Sequence, residues 1–191
     1  MLSATLKTSL RTAYTKNQQD RHALIADANT VLRLAKQAIF SLHREEVKTA
    51  RKQLDEVNKV FVGLQKRLAK ANPALSQQGA YLAAIEEYLE AELFYQAMTG
   101  APIAMVKNLK AGIEQYVGAL SDMTGELTRQ AVLRATAKDY EAVRKYAAIT
   151  QEVIGMLIDF DLVGGARQKY DDAKRNLKRM ESILYDISLR E

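Results

Sequence analysis

The chain has 191 residues, and its 28 Lys and Arg residues outnumber its 23 Asp and Glu residues by five. This length is typical of one domain, and the absence of cysteine excludes disulfides, thiolate nucleophiles, cysteine zinc sites and iron–sulfur clusters. The two histidines, His22 and His43, are too few for a three-histidine metal site within one chain. The N-terminus lacks an apolar signal core and no apolar run approaches the roughly 20 residues of a membrane span, so we expect a soluble, cytoplasmic protein with no membrane partner.

Apolar residues recur at helical spacing along nearly the whole chain, and no stretch shows convincing strand alternation. We predict an N-terminal arm or helix extension over residues 1–19 and one α-helical domain over 20–191. The predicted helices cover about 24–42, 47–68, 77–98, 105–135, 138–160 and 170–187. Breaks are expected at Thr99–Pro102 and at Gly164-Gly165.

Long helices joined by short turns predict an all-α fold, an antiparallel bundle of about six to seven helices. The second and last predicted helices carry apolar stripes with a regular 3–4 alternation. Contacts within the chain are the favoured explanation of these stripes. The alternative is that the chain oligomerises through these helix faces.

Charge is unevenly distributed along the chain. Residues 1–70 hold 14 basic and six acidic residues, whereas residues 71–191 hold 14 basic and 17 acidic ones. The segment 71–100 contains four glutamates and no basic residue. A basic half indicates a polyanionic partner, and the acidic segment indicates either a cation site or a solvated helix face.

Seven basic residues of the second predicted helix share a band roughly opposite its apolar stripe. The band extends over about 39 Å, which is long enough to follow several phosphates of a nucleic-acid strand. A second basic cluster lies on the last helix at Lys174, Arg175, Lys178 and Arg179. Ordinary solvated helix faces are the alternative for both. The candidate nucleic-acid-binding residues are Arg44, Lys48, Arg51, Lys52, Lys59, Lys66 and Lys70.

Two acidic pairs have the spacing that places both members on one helix face. Glu87 and Glu90 lie three residues apart, and Asp122 and Glu126 lie four apart. A stripe of small residues, Gly118, Ser121 and Gly125, lies beside the second pair and permits a close helix contact. If the third helix packs there, Glu87, Glu90 and Asp122 converge.

Converging carboxylates repel one another unless they are protonated or bridged by a cation. Carboxylate oxygens and water suit Mg²⁺ or Mn²⁺. The alternative is that these acidic residues are ordinary surface residues that bind no metal, and the spacing alone favours this alternative. A di-iron site of the ferritin-like kind requires Glu-x-x-His pairs, and neither His22 nor His43 completes one.

Four segments, in the same order, resemble motifs of the translin family. The segment from Lys36 to Arg44 (KQAIFSLHR) resembles the family's first-helix signature, and Glu87–Ala91 (EYLEA) resembles a Glu-Tyr-x-Glu-Ala motif of its translin-associated factor X type. The segment from Tyr116 to Leu127 (YVGALSDMTGEL) resembles the Asp-Leu-Thr-Gly-Glu-Leu helix of that type. Lys169–Arg190 resembles the C-terminal helix of the family, so the resemblance covers about 20–190.

The resemblance implies a fold of about seven helices that assembles into a hollow, roughly octameric shell around nucleic acid. It also implies that factor X-type chains are metal-dependent endoribonucleases, whereas translin-type chains bind RNA and single-stranded DNA. The catalytic residues implied here are Glu87, Glu90 and Asp122, and the metal ligands are these three and Glu126, with Mg²⁺ or Mn²⁺ as cofactor. The chain therefore resembles a compact, prokaryote-like member of the catalytic type.

Two residues of the matched motifs have less certain roles. Glu92 departs from the factor X type and matches translin's Tyr-Leu-Glu-x-Glu pattern, and we expect it to pair with a basic residue such as Arg134. His43 belongs to the first motif, and a capping or core histidine is the favoured interpretation.

Three functions follow as hypotheses. The first is an endoribonuclease that cuts short or single-stranded RNA inside a homo-oligomeric shell. The second is an oligomer that binds RNA or single-stranded DNA without catalysis. The third is a helical protein-interaction module without a nucleic-acid partner.

Overall fold

Six α-helices and one 3₁₀ helix account for the regular structure in the computed structural model, which describes residues 1–107 and 109–190 but not the side chain of Ala71. Asn108, which the predicted fourth helix includes, and Glu191, the end of the predicted domain, lie outside the described residues. The α-helices are α1 (Ala4–His43), α2 (Val47–Ala71), α3 (Gly79–Thr99), α4 (Ile113–Thr136), α5 (Tyr140–Leu157) and α6 (Gly164–Ser188). The 3₁₀ helix (Pro73–Gln77) precedes α3.

Short polar and glycine signals set several helix ends. The side chain of Ser3 accepts the Leu6 N–H at the start of α1, and that of Asp139 accepts the Ala142 N–H at the start of α5. α3 ends at Gly100, whose φ of +74° is in the left-handed region. Pro102 follows two residues later, where it disfavours continuation of the helix.

The core forms where α1 packs against α2 and α3, and where α4 packs against α3, α5 and α6. The apolar stripe of α2 is buried from Ala50 to Leu68, and that of α6 is buried at Tyr170, Ala173, Met180 and Ile187. Both stripes therefore form contacts within the chain, and the all-α prediction is confirmed. Across the residues that the structure covers, no helix combines the length and the hydropathy needed to cross a membrane.

The predicted start of the fourth helix near residue 105 is wrong. The backbone N–H groups of Ala104 and Val106 donate to the side chains of Gln96 (2.7 Å) and Tyr116 (2.9 Å) instead of forming a helical turn. Ile113, the first residue of α4, is 68% exposed. The connection between α3 and α4 is thus held to the bundle by distant side chains.

Candidate functional site

The contact between α3 and α4 brings the predicted carboxylates to one region of the bundle. α3 contributes Glu87 and Glu90, and α4 contributes Asp122 and Glu126. Gly118 permits this close contact, because a Cβ atom at that position would overlap the carboxylate of Glu86. The predicted role of the small residues is therefore only partly right, since Gly125 faces Asn176 of α6 instead.

Glu90 is the most deeply placed member of this cluster, with 9% of its surface exposed. Burial first, and then the charges of Asp122, Glu87 and Glu126, raise the pKa of Glu90 to about 9, while Lys169 opposes the shift. Among the described residues, Glu90 has no hydrogen-bond or ion-pair partner. Burial also raises the pKa of Glu87, and Lys36 lowers it in part. The four carboxylates therefore lie close enough to interact electrostatically, as the spacing of the two acidic pairs predicted.

Two of the four carboxylates, Asp122 and Glu87, already have lysine partners from elsewhere in the chain. The ammonium group of Lys169 on α6 lies 2.5 Å from Asp122 Oδ2 and also contacts Glu86. Lys36 Nζ on α1 lies 3.7 Å from Glu87 Oε2. The cluster is therefore partly neutralised without any added cation.

The carboxylate donor set fits a hard divalent cation chemically, because it presents several oxygen ligands around a buried, unpaired carboxyl group. In the described part of the chain, however, no three acidic or histidine side chains are gathered closely enough to hold a metal ion as they stand. Binding of Mg²⁺ or Mn²⁺ would require side-chain rotations, and Lys169 would have to release Asp122.

His43 is a core histidine with a specific polar role. The Gln130 side-chain amide donates to His43 Nδ1 at 3.1 Å, so Nε2 carries the proton and donates to Glu126. The ring also packs against Phe94 with a centroid separation of 5.1 Å. His43 therefore fixes the position of Glu126.

Sequence reasoning missed Glu86, Lys169 and the His43–Glu126 contact. Glu86 carries a local signal, because it lies four residues before Glu90 and so on the same side of α3. No local sequence signal identifies Lys169, since its partner Asp122 lies 47 residues earlier in the chain.

Glu92 pairs with a basic residue as expected, but the partner is Arg51 and not Arg134. Two guanidinium nitrogens of Arg51 bind the Glu92 carboxylate at 2.8 and 3.0 Å, and the Tyr88 hydroxyl donates to it at 3.0 Å. Arg134 instead pairs with Glu45 and Asp139. Glu92 thus links α2 to α3, and Arg51 is committed to this link.

The five lysines of the predicted basic band lie on the exposed side of α2. Arg44 lies before α2, at the end of α1, and pairs with Glu46. Among the described residues, the five lysines have no ion-pair partner. They are Lys48, Lys52, Lys59, Lys66 and Lys70. Lys66 also lines a groove of about 980 Å³ that Lys110 and Tyr81 border. This face is the largest array of free cationic groups on α2.

Comparison with known proteins finds relatives over most of the chain. The model of the Translin family matches residues 19–191. Chicken translin (Gallus gallus) is 27% identical over 157 residues, which cover 77% of this chain and 67% of that protein. Human translin (Homo sapiens) is 28% identical over 120 residues, 60% of this chain, and the match spans only 53% of the human protein.

Two solved structures share the architecture. The crystal structure of apo-NeC3PO superposes with a TM-score of 0.84 at 20% identity and covers 97% of each chain. The structure of the AfC3PO–duplex RNA complex has a TM-score of 0.84 at 17% identity, covering 96% of this chain and 97% of that one. The fold is that of the all-helical translin and C3PO proteins. The chain belongs to the translin family.

Proposed function

We propose that the chain is a metal-dependent endoribonuclease of the factor X type, which cuts short or single-stranded RNA inside a homo-oligomeric, octameric shell. The observation that carries this proposal is the buried, unpaired carboxyl group of Glu90 beside Glu87, Asp122 and Glu126. Burial of an unpaired carboxyl group costs folding free energy. Carboxyl groups with strongly shifted pKa values are concentrated at functional sites, which supports a function for Glu90.

In this proposal Glu87, Glu90, Asp122 and Glu126 hold Mg²⁺ or Mn²⁺. The metal, when bound, lowers the pKa of water and stabilises charge on a phosphate group. His43 holds Glu126 in place through its Nε2 proton. The exposed lysines of α2 bind the phosphates of the RNA.

A second candidate is an oligomer that binds RNA or single-stranded DNA without cutting it. Lys169 favours it, because this side chain already pairs with Asp122 and Glu86 from within the chain. The sequence relatives are named translin, and the AfC3PO structure contains duplex RNA.

Cleavage of an end-labelled single-stranded RNA distinguishes the two candidates. Wild type and Glu87→Gln/Glu90→Gln would be incubated with the RNA in Mg²⁺, in Mn²⁺ and in EDTA. Glu181→Gln, an exposed change of the same type on α6, is the matched control. We expect cleavage only with metal, retained by the control and lost by the double variant. RNA binding without cleavage by wild type would favour the second candidate, and equal cleavage by wild type and the double variant would refute the assigned site.

A further inference from the structure

The first turns of α1 extend away from the bundle without a partner in the described chain. Residues 1–17 are all exposed. The hydrogen bond between the side chains of Asn17 and Asn72, at 2.8 Å, is the first that α1 makes to another element. A free helical segment of this length is only marginally stable in water. We call residues 1–17 the arm.

One side of the arm is apolar. Leu2, Leu6, Leu10 and Tyr14 follow one another at four-residue spacing, and each is between 43% and 66% exposed. Three basic residues, Lys7, Arg11 and Lys16, accompany them, and the first acidic residue of the chain is Asp20. The arm is thus a basic amphipathic helix whose apolar side faces solvent.

The same chain carries an apolar groove of about 600 Å³ between α3, α4 and α5. Met105 (74% exposed) and Met156 (44% exposed) lie along it, with Leu93, Leu120 and Ile149 among the other lining residues. Glu152 is the charged residue in its lining. The segment just past the end of α5 exposes Ile158 and Phe160, with Asp159 and Asp161 beside them in the sequence. The charged group that lines the groove is thus acidic.

We propose that the arm of one copy docks into this groove on a second copy of the chain. Leucines at helical spacing suit an apolar groove, and the basic residues of the arm match the acidic Glu152 in its lining. Pairing of two arms would instead bring Lys7, Arg11 and Lys16 close to like charges. Because the two surfaces differ, the contact joins copies either head-to-tail or, when two copies exchange arms, as a symmetric pair. The inference rests on the proposed self-assembly and names the surfaces that make it.

Single-cysteine chains test this contact, because the native sequence has no cysteine. Leu10→Cys and Met105→Cys chains would be mixed and oxidised, and any disulfide between them must join two copies. We expect a cross-linked dimer from this mixture and none from Thr8→Cys with Met105→Cys, since Thr8 lies on the opposite side of the arm. Cross-linking of Leu10→Cys with itself alone would overturn the proposal in favour of arm–arm pairing.

Light scattering of the full-length chain provides the second measurement. Leu6→Asp/Leu10→Asp should reduce the assembled mass, whereas Thr8→Asp/Thr12→Asp should leave it unchanged. A wild-type chain that assembles without the Leu10–Met105 cross-link would refute the contact and leave the proposed shell intact. A monomeric wild type would refute both, and neither result depends on RNA cleavage.

Discussion

At the scale of single residues, Glu90 makes the stability of the fold depend on pH. Its pKa rises from 4.5 to about 9 on folding, first through burial and then through the neighbouring carboxylates. Between these values the folded chain binds more protons than the unfolded chain, so the free energy of unfolding falls as pH rises. We expect Glu90→Gln to remove most of this fall and to raise the Tm above that of wild type at about pH 8 in EDTA.

Thermal unfolding from about pH 5 to pH 9 measures the effect. Glu181→Gln on the exposed side of α6 should keep the wild-type slope. Parallel curves for wild type and Glu90→Gln would show that Glu90 is ionised in the fold.

Lys169 is a second residue whose removal can be tested, because its one ammonium group pairs with both Asp122 and Glu86. Lys169→Met leaves those carboxylates without their cation. If Asp122 is a metal ligand, as proposed, Mn²⁺ should then bind severalfold more tightly, since it no longer competes with the lysine. Calorimetric titration at fixed ionic strength measures this. Lys174→Met, a change at an exposed lysine of α6 that pairs with Asp171, should leave the affinity unchanged, and an unchanged affinity for Lys169→Met would contradict the competition.

At the scale of the elements, the Arg51–Glu92 pair joins α2 to α3. Arg51→Ala leaves the Glu92 carboxylate, 6% exposed, without its cation. We expect a loss of about 2–4 kcal/mol in the free energy of unfolding, somewhat below a fully buried pair because Arg51 is partly exposed. Urea denaturation measures it. Arg67→Ala removes an exposed pair with Asp27 and should cost below about 1 kcal/mol; equal losses would show that the α2–α3 link is no stronger than a surface pair.

The α3–α4 contact depends on Gly118. In Gly118→Ala the new methyl group must displace the Glu86 carboxylate from Lys169, which offsets the gain of about 1 kcal/mol that Ala brings to a helix interior. Gly155→Ala on α5 is the matched control, because a Cβ there meets nothing within 4 Å. Urea denaturation should show the α5 variant to be more stable than the α4 variant by about 1 kcal/mol. Equal gains would mean that Glu86 moves aside freely.

The elements also show how far sequence reasoning reaches. The apolar stripe of α2 predicted both the helix and its buried face, because a periodic pattern is a local property. The connection before α4 was wrongly predicted as helix. Its backbone N–H groups donate to the side chains of Gln96 and Tyr116, and the local sequence pattern does not contain that information. The acidic spacing predicted Glu87, Glu90 and Asp122 as neighbours. It could not predict that Arg51 binds Glu92, since that choice depends on how α2 lies against α3.

At the scale of the whole molecule, the positions of charge matter more than the net charge of +5. The five free lysines of α2 lie on one exposed side of the bundle, whereas the buried carboxylates come from α3 and α4. A polyanion bound to the lysines would therefore be held by charge rather than by base contacts.

Salt dependence tests this lysine face as a phosphate-binding surface. If Lys59 and Lys66 each contact a phosphate, Lys59→Gln/Lys66→Gln should weaken binding of single-stranded RNA and reduce the slope of log K against log salt by about 1.4. Fluorescence anisotropy between about 50 and 200 mM salt measures both quantities. Lys138→Gln/Lys145→Gln removes the same charge from exposed positions around the start of α5, so it should change the slope little. Equal slopes for the two double variants would mean that only net charge attracts the RNA, and that the α2 face does not bind it.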